Sequence, residues 1–197
     1  VNAEKVAAIV GALCSGSTIA AANSAAVPNN VVMVSPASTS PAVTGIDDND
    51  LVFRTAPSDA RQGQVLAQVL KGRGIDSVAV TYINNDYGKG FNDAFAAAYE
   101  AAGGSVTGSQ AHEDGKADYR AEISALAAGG SEVLVVLAYL DGSGQTIIRQ
   151  ALEEGDFAKF AGGDGMVGQS LVDAIGDQLE WMVATQPGGD IEGAELF

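Results

Sequence analysis

The chain has 197 residues, enough for one substantial hydrophobic core or two small ones, and 47% of them are hydrophobic. The 10 Lys and Arg stand against 25 Asp and Glu, a net charge of −15, and such a surface repels phosphate backbones and anionic membranes, so nucleic acid is excluded as a partner. The single cysteine, Cys14, can close no disulfide within the chain and excludes metal sites built on paired cysteines; no apolar run approaches the ~20 residues of a membrane helix, so no direct membrane insertion is expected.

Residues 6–10 (VAAIV) read as a short apolar strand, 11–18 as a loop of small residues and 19–26 as an Ala-rich helix. Pro28, Asn29 and Asn30 punctuate before a second strand, 31–34 (VVMV). The loop 35–40 (SPASTS) follows, then a third short strand at 51–55. Val65, Leu66, Val69 and Leu70 give one apolar face to a helix over 62–71, stopped by Gly72 and Gly74. Residues 77–83 (SVAVTYI) are rich in β-branched side chains and predict a strand. A polar loop, 84–90, carries Tyr87, and Phe91, Phe95, Ala98 and Ala102 then recur at helical spacing up to Gly103-Gly104.

Residues 105–110 read as a polar, edge-like strand. Tyr119, Ile123, Leu126 and Ala127 mark a helix capped by Asp118 and stopped by Gly129-Gly130. The run VLVVLAY within 132–139 is the most apolar strand, and Ile147, Ile148, Ala151 and Leu152 mark a helix ended by Gly155. A strand at 157–161 leads into Gly162-Gly163-Asp164-Gly165. Leu171, Val172 and Ile175 mark a short helix, 179–185 a last strand, and no element is legible from Gln186 on. Strands that are apolar runs, alternating with helices, predict an α/β fold of Rossmann-like parallel sheets with helices on both faces. Ligands gather at the carboxyl ends of such strands, so the chemistry is expected in loops 14–18, 35–40, 84–90, 139–144 and 162–168.

Those loops hold small hydroxyls early and aromatics and an acid late. Ser15, Ser17 and Thr18 sit where a strand hands over to a helix and suit a carboxylate, although N-capping accounts for the same residues. Ser38 and Thr39 offer similar donors, as turn chemistry around Pro36 and Pro41 also would. Tyr87 and Tyr139 each follow a strand and present faces suited to an aliphatic chain or an ammonium group. Asp164 lies between glycines that allow a ligand close to the backbone, and its charge suits an amine. Asp59 precedes a helix that it is placed to cap. Residues 163–168 fit G-x-G-x-x-G, but Asp164 would face a pyrophosphate and no acid ends the next strand, so a dinucleotide is disfavoured. His112, beside Glu113-Asp114-Gly115, reads as a surface histidine. No nucleophile elbow or metal-ligand spacing appears, so no enzyme is expected and no cofactor is implied.

In order and spacing, five segments resemble the type I periplasmic binding proteins of ABC transporters, in particular the branched-chain amino acid (Leu/Ile/Val) binding family. They are GALCSGST from Gly11, VSPASTSP from Val34, FRT from Phe53 with Asp59 and Gln62-Gly63, NDYGKG from Asn85, and GGDG from Gly162. The resemblance implies two α/β lobes closing on a ligand like a hinged clamp. Residues 1–73 would form a partial N-terminal lobe, 74–187 the C-terminal lobe, and 188–197 a tail or the start of a crossover. It assigns Ser15, Ala37, Ser38 and Thr39 to the α-carboxylate and part of the α-ammonium, and Tyr87, Tyr139 and Asp164 to the second lobe, with Asp164 as the ammonium partner. The acid is Asp where the family often has Glu, which leaves room for a larger ligand or a bridging water. Cys14 matches a position that pairs with an upstream cysteine in some members.

The implied function is an extracytoplasmic, periplasmic component of an ABC importer that hands a small zwitterion, such as a branched-chain amino acid, to a membrane permease. A sensory ligand-binding domain for amides or related molecules shares the same loops, and a nucleotide-using α/β enzyme is a third reading that the sparse basic residues disfavour. The chain opens at Val1 on domain-like sequence, so a leader removed in maturation or a longer parent protein is expected. Family members are longer, and the first lobe is expected to be incomplete. Uncovered sheet edges and faces would then favour a compact second lobe with a partial first, or association with another copy.

Overall fold

The computed structural model describes Val1 and residues 3–188. Two parallel sheets follow one another along the chain. The first has three strands in the order β1 (Ala8–Val10), β2 (Val32–Ser35) and β3 (Val52–Arg54). Its inner residues Ile9, Met33 and Val52 are register partners and pack on Ala22 and Ala26, which extend the helix α1 (Ser15–Ala21). The helix was expected from residue 19; it starts four residues earlier because small Ser15, Gly16 and Ser17 wind directly off the loop.

The second sheet has five strands in the order β5-β4-β6-β7-β8: β4 (Ser77–Ile83), β5 (Ser105–His112), β6 (Val133–Leu137), β7 (Lys159–Gly162) and β8 (Trp181–Ala184). Every residue of β6 is fully buried, because alternate side chains enter opposite cores. Val133, Val135 and Leu137 join Leu66, Leu70, Phe91, Phe95 and Tyr99 from α2 (Asp59–Gly72) and α3 (Asp86–Ala101). Leu134 and Val136 face α4 (Arg120–Ala127), α5 (Gln145–Glu154) and α6 (Gln169–Ile175) through Ile123, Ile148 and Leu171.

Several local expectations need correction. Helix α3 begins at Asp86, so Tyr87 stands in its first turn rather than on a loop: Asn85 Oδ1 accepts from Gly88 N at 2.9 Å and starts the helix. Ser58, not Asp59, caps α2; Asp59 is the first helical residue and fully buried. Asp118 does accept the first N–H of α4, from Arg120 at 3.0 Å. His112 is not on the surface but 3% exposed. Loop 139–144 folds over the end of β5, putting His112 Nδ1 at 2.7 Å from Thr81 Oγ1 and Nε2 at 2.9 Å from Ser143 Oγ. Burial lowers the His112 pKa to about 4 against the attraction of Asp114, Glu122 and Glu113. Finally, α2 lies within residues 1–73 but shares its core with the second sheet.

Candidate functional site

Loops at the carboxyl ends of both sheets meet around one cavity of about 210 Å³, lined by Leu13, Cys14, Ser15, Ala37 and Thr39 on one side and by Tyr87, Tyr139 and Asp164 on the other. That is below the ~300 Å³ at which drug-sized pockets begin, so the space suits a small molecule. A hollow of about 330 Å³ adjoins it past Gly16, Ser17 and Asn85. The two sides also touch: a side chain at Gly16 would stand 2.6 Å from Asp86 Oδ2, and one at Gly90 2.7 Å from Ser40 Oγ.

The first wall is a web of hydroxyls and carbonyls. Ser35 Oγ donates to Ala12 O at 2.6 Å and accepts from Ser38 N at 3.0 Å, tying loop 36–40 to the end of β1. Arg54 Nη1 donates to the carbonyls of Ser38, Thr39 and Ser40 at 3.3, 3.0 and 2.8 Å. Burial lowers the Arg54 pKa and Asp59 raises it. Ser15 Oγ accepts from Ser40 N at 3.2 Å, so the hydroxyl braces the opposite loop instead of capping its own helix, whose N-cap is Cys14. Thr39 Oγ1 donates to Asp59 Oδ2 at 2.8 Å.

The second wall forms where the sheet changes direction. Strands β4 and β6 are neighbours, and the chain leaves them towards opposite edges, which opens a crevice at their carboxyl ends. Tyr87 follows β4 and Tyr139 follows β6. Their rings stack at 5.2 Å between centroids and 13° between planes. Tyr87 Oη donates to Asp164 Oδ1 at 3.1 Å, and Gln62 Nε2 donates to the same oxygen at 3.1 Å. Burial, followed by the charges of Asp164 and Asp59, raises the Tyr87 pKa well above 10, so the phenol stays a donor. The glycines beside Asp164 serve the protein's own packing: a side chain at Gly163 would stand 2.2 Å from the Phe91 ring, and one at Gly165 2.4 Å from Ala138 O.

Ser15, Ala37, Thr39, Tyr87, Tyr139 and Asp164 are thus brought to one cavity. Ser38 lies in the same loop but is fully buried, with its hydroxyl 2.7 Å from Thr18 Oγ1 and donating to Leu13 O at 3.1 Å. Residue-by-residue reading passed over Gln62 and Arg54 as site residues, although both stand in segments that carry the resemblance. Among the described residues no group of three or more His, Cys, Asp or Glu is placed to hold a metal.

A family model described as periplasmic binding protein matches residues 1–191. The chain belongs to the periplasmic binding protein family. This periplasmic binding protein is 34% identical over 181 residues to a leucine-, isoleucine-, valine-, threonine- and alanine-binding protein of Pseudomonas aeruginosa, covering 91% of this chain and 48% of that one. Leu/Ile/Val-binding protein homolog 3 of Brucella melitensis is 35% identical over 70% of this chain and 37% of its own. The solved leucine-binding protein LivK of Thermotoga maritima superimposes with a TM-score of 0.82 at 30% identity, over 91% of this chain and 50% of that one. The chain therefore spans about half the length of the relatives it matches.

Proposed function

We propose that this protein binds a small zwitterion, such as a branched-chain amino acid, between two lobes and performs no chemistry on it. The observation that carries this reading is the pairing of opposite chemistries across one small cavity. The hydroxyl of Ser15, with the backbone at Ala37 and Thr39, stands on one side, and the carboxylate of Asp164 with two stacked tyrosines on the other. A carboxylate fits the first set of donors, an ammonium fits Asp164, and the aromatic faces suit an aliphatic side chain. Relatives named for binding leucine, isoleucine and valine support the ligand class.

The site belongs to an extracytoplasmic component of an ABC importer that presents its ligand to a membrane permease. No helix among the described residues is long and apolar enough to cross a membrane. We place the lobe boundary in the 55–58 link, ahead of α2, instead of at 73/74, because Leu66, Ala67 and Leu70 pack in the second core.

Asp164→Ala removes the ammonium partner and leaves the Tyr87 hydroxyl without its acceptor, while Gln62 Nε2 keeps Thr185 O, so binding of L-leucine should weaken at least about a hundred-fold, as expected for truncating one partner of a hydrogen-bonded charge pair. Isothermal calorimetry with leucine, isoleucine and valine reads this directly. Undiminished affinity in the variant would reject the assignment.

A further inference from the structure

Asp59 and Gln62 stand three residues apart at the start of α2, so they share one face of that helix. Asp59 is fully buried and Gln62 is 6% exposed. Each keeps one buried oxygen with no hydrogen-bond donor, Oδ1 of Asp59 and Oε1 of Gln62. Their remaining polar atoms are engaged: Asp59 Oδ2 accepts from Thr39 Oγ1 at 2.8 Å, and Gln62 Nε2 donates to Asp164 Oδ1 at 3.1 Å and Thr185 O at 2.9 Å. Two buried acceptors at the start of one helix are each left without a donor. A bare buried carboxylate oxygen is among the costliest groups to leave unsatisfied. Protonation at Oδ1 removes the charge and turns that oxygen into a donor on the face that carries Gln62 Oε1.

The charged and titratable groups around Asp59 come from three elements: Arg54 at the end of β3, Asp164 in the turn after β7, and Tyr87 in α3. Arg54 favours the ionised carboxylate, but its Nη1 is committed to three carbonyls. Burial is the largest influence, and with Asp164 it outweighs Thr39 and Arg54, raising the Asp59 pKa to about 7. We infer that Asp59 holds a proton in the empty protein and gives it to solvent when a cationic group enters between Thr39 and Asp164, so that uptake of an amino acid is coupled to proton release. This rests on the zwitterion reading above. Asp59 acts through Thr39, which lines the cavity and bonds its carboxylate, and it is therefore a positioning residue. An incoming ammonium replaces the proton as the positive charge that offsets the carboxyl groups of Asp59 and Asp164.

The test has two arms. In the ligand-free protein, infrared difference spectra between about pH 5.5 and 8.5 should contain a protonated-carboxyl band that Asp59→Asn removes. Asparagine keeps the shape, donor and acceptor of the neutral acid, so the variant should fold. Calorimetry with L-leucine, in buffers of different ionisation enthalpy, should then give release of up to about one proton, and an affinity that falls about three- to eight-fold from pH 7.5 to 6. Asp59→Asn should release none and lose that pH dependence. Absence of the band overturns the inference, and so does leucine binding without proton release, which would leave the zwitterion reading intact. A band present with no heat from leucine, isoleucine or valine would support the buried proton and overturn the zwitterion reading.

Discussion

The two sheets are built from the same strand-and-helix unit, yet they are held together by different forces. The five-stranded sheet is buried on both faces by large apolar side chains. The three-stranded sheet has, among the described residues, a single helix layer whose core is Ala22, Ala26 and Met33. Its other face carries Val10, 85% exposed, and Phe53, 51% exposed, aligned through Val34 by the strand register. What the small sheet lacks in apolar burial it replaces with directed bonds at its carboxyl end, from Ser35, Ser38, Ser15 and Arg54. One wall of the cavity is therefore positioned by packing and the other by a polar network. The first should resist local opening, and the second should open at lower free energy.

The largest expected effect lies in the packed half. Phe91 is fully buried between α3 and the sheet and touches the turn that carries Asp164. Phe91→Ala should cost about 3–5 kcal/mol, read as a lower denaturant midpoint of the whole second unit. A loss below about 1 kcal/mol would mean that packing does not hold this wall, and would break the contrast.

A pH effect comes next, also in the packed half. His112 is folded as the neutral imidazole, its pKa lowered to about 4 from 6.5 chiefly by burial. A group with a lowered folded pKa of this type gives stability that is full above 6.5 and is lost as pH falls towards 4. The loss amounts to about 3 kcal/mol. Asp59, at the seam, has the opposite sign: its pKa is raised from 3.8 to about 7, so its contribution is full below 3.8 and is lost as pH rises through 7. The two oppose each other in the same window, so the wild-type profile alone is ambiguous. Subtracting the His112→Gln profile isolates one slope, and a melting temperature whose acid dependence is unchanged in that variant would show that His112 titrates in the fold as it does in water.

The packed half was largely legible in the sequence because its signals are local. Apolar runs became strands in the expected order, and the glycines after the helices do what was read from them: Gly103 and Gly155 take φ of 79° and 74°. Cavity residues were legible as loop positions after strands. What escaped was set by contacts distant in sequence. His112 ends a polar edge strand and precedes three surface-type residues, and contacts distant in sequence bury it: Thr81 on the neighbouring strand and loop 139–144, each some thirty residues away, with the Tyr119 ring. Tyr87 reads as a loop residue because it stands in the polar stretch 84–90, yet that stretch winds into a helix and Gly88 is there for a close approach: a side chain would stand 2.1 Å from Ile83 O. Gln62 reaches Asp164 across 102 residues, which no periodicity announces.

The smallest of these effects should lie in the polar half and should be the most selective. Arg54→Ala removes one guanidinium that holds three successive carbonyls and also donates to Thr44 Oγ1 at 2.6 Å. The guanidinium is partly exposed, and water can reach some of the orphaned carbonyls, so the cost should be about 2 kcal/mol. That cost should be local. Hydrogen exchange should quicken at residues 36–40 while the strands of the second sheet keep their protection, and leucine affinity should fall through disorder of Thr39 with Asp164 untouched. Arg54→Lys puts a point charge where a planar fork met three carbonyls, and it should recover little of the loss. Equal loosening of both sheets would mean that the two walls open as one cooperative unit, and that a polar web and an apolar core are here two parts of a single stability.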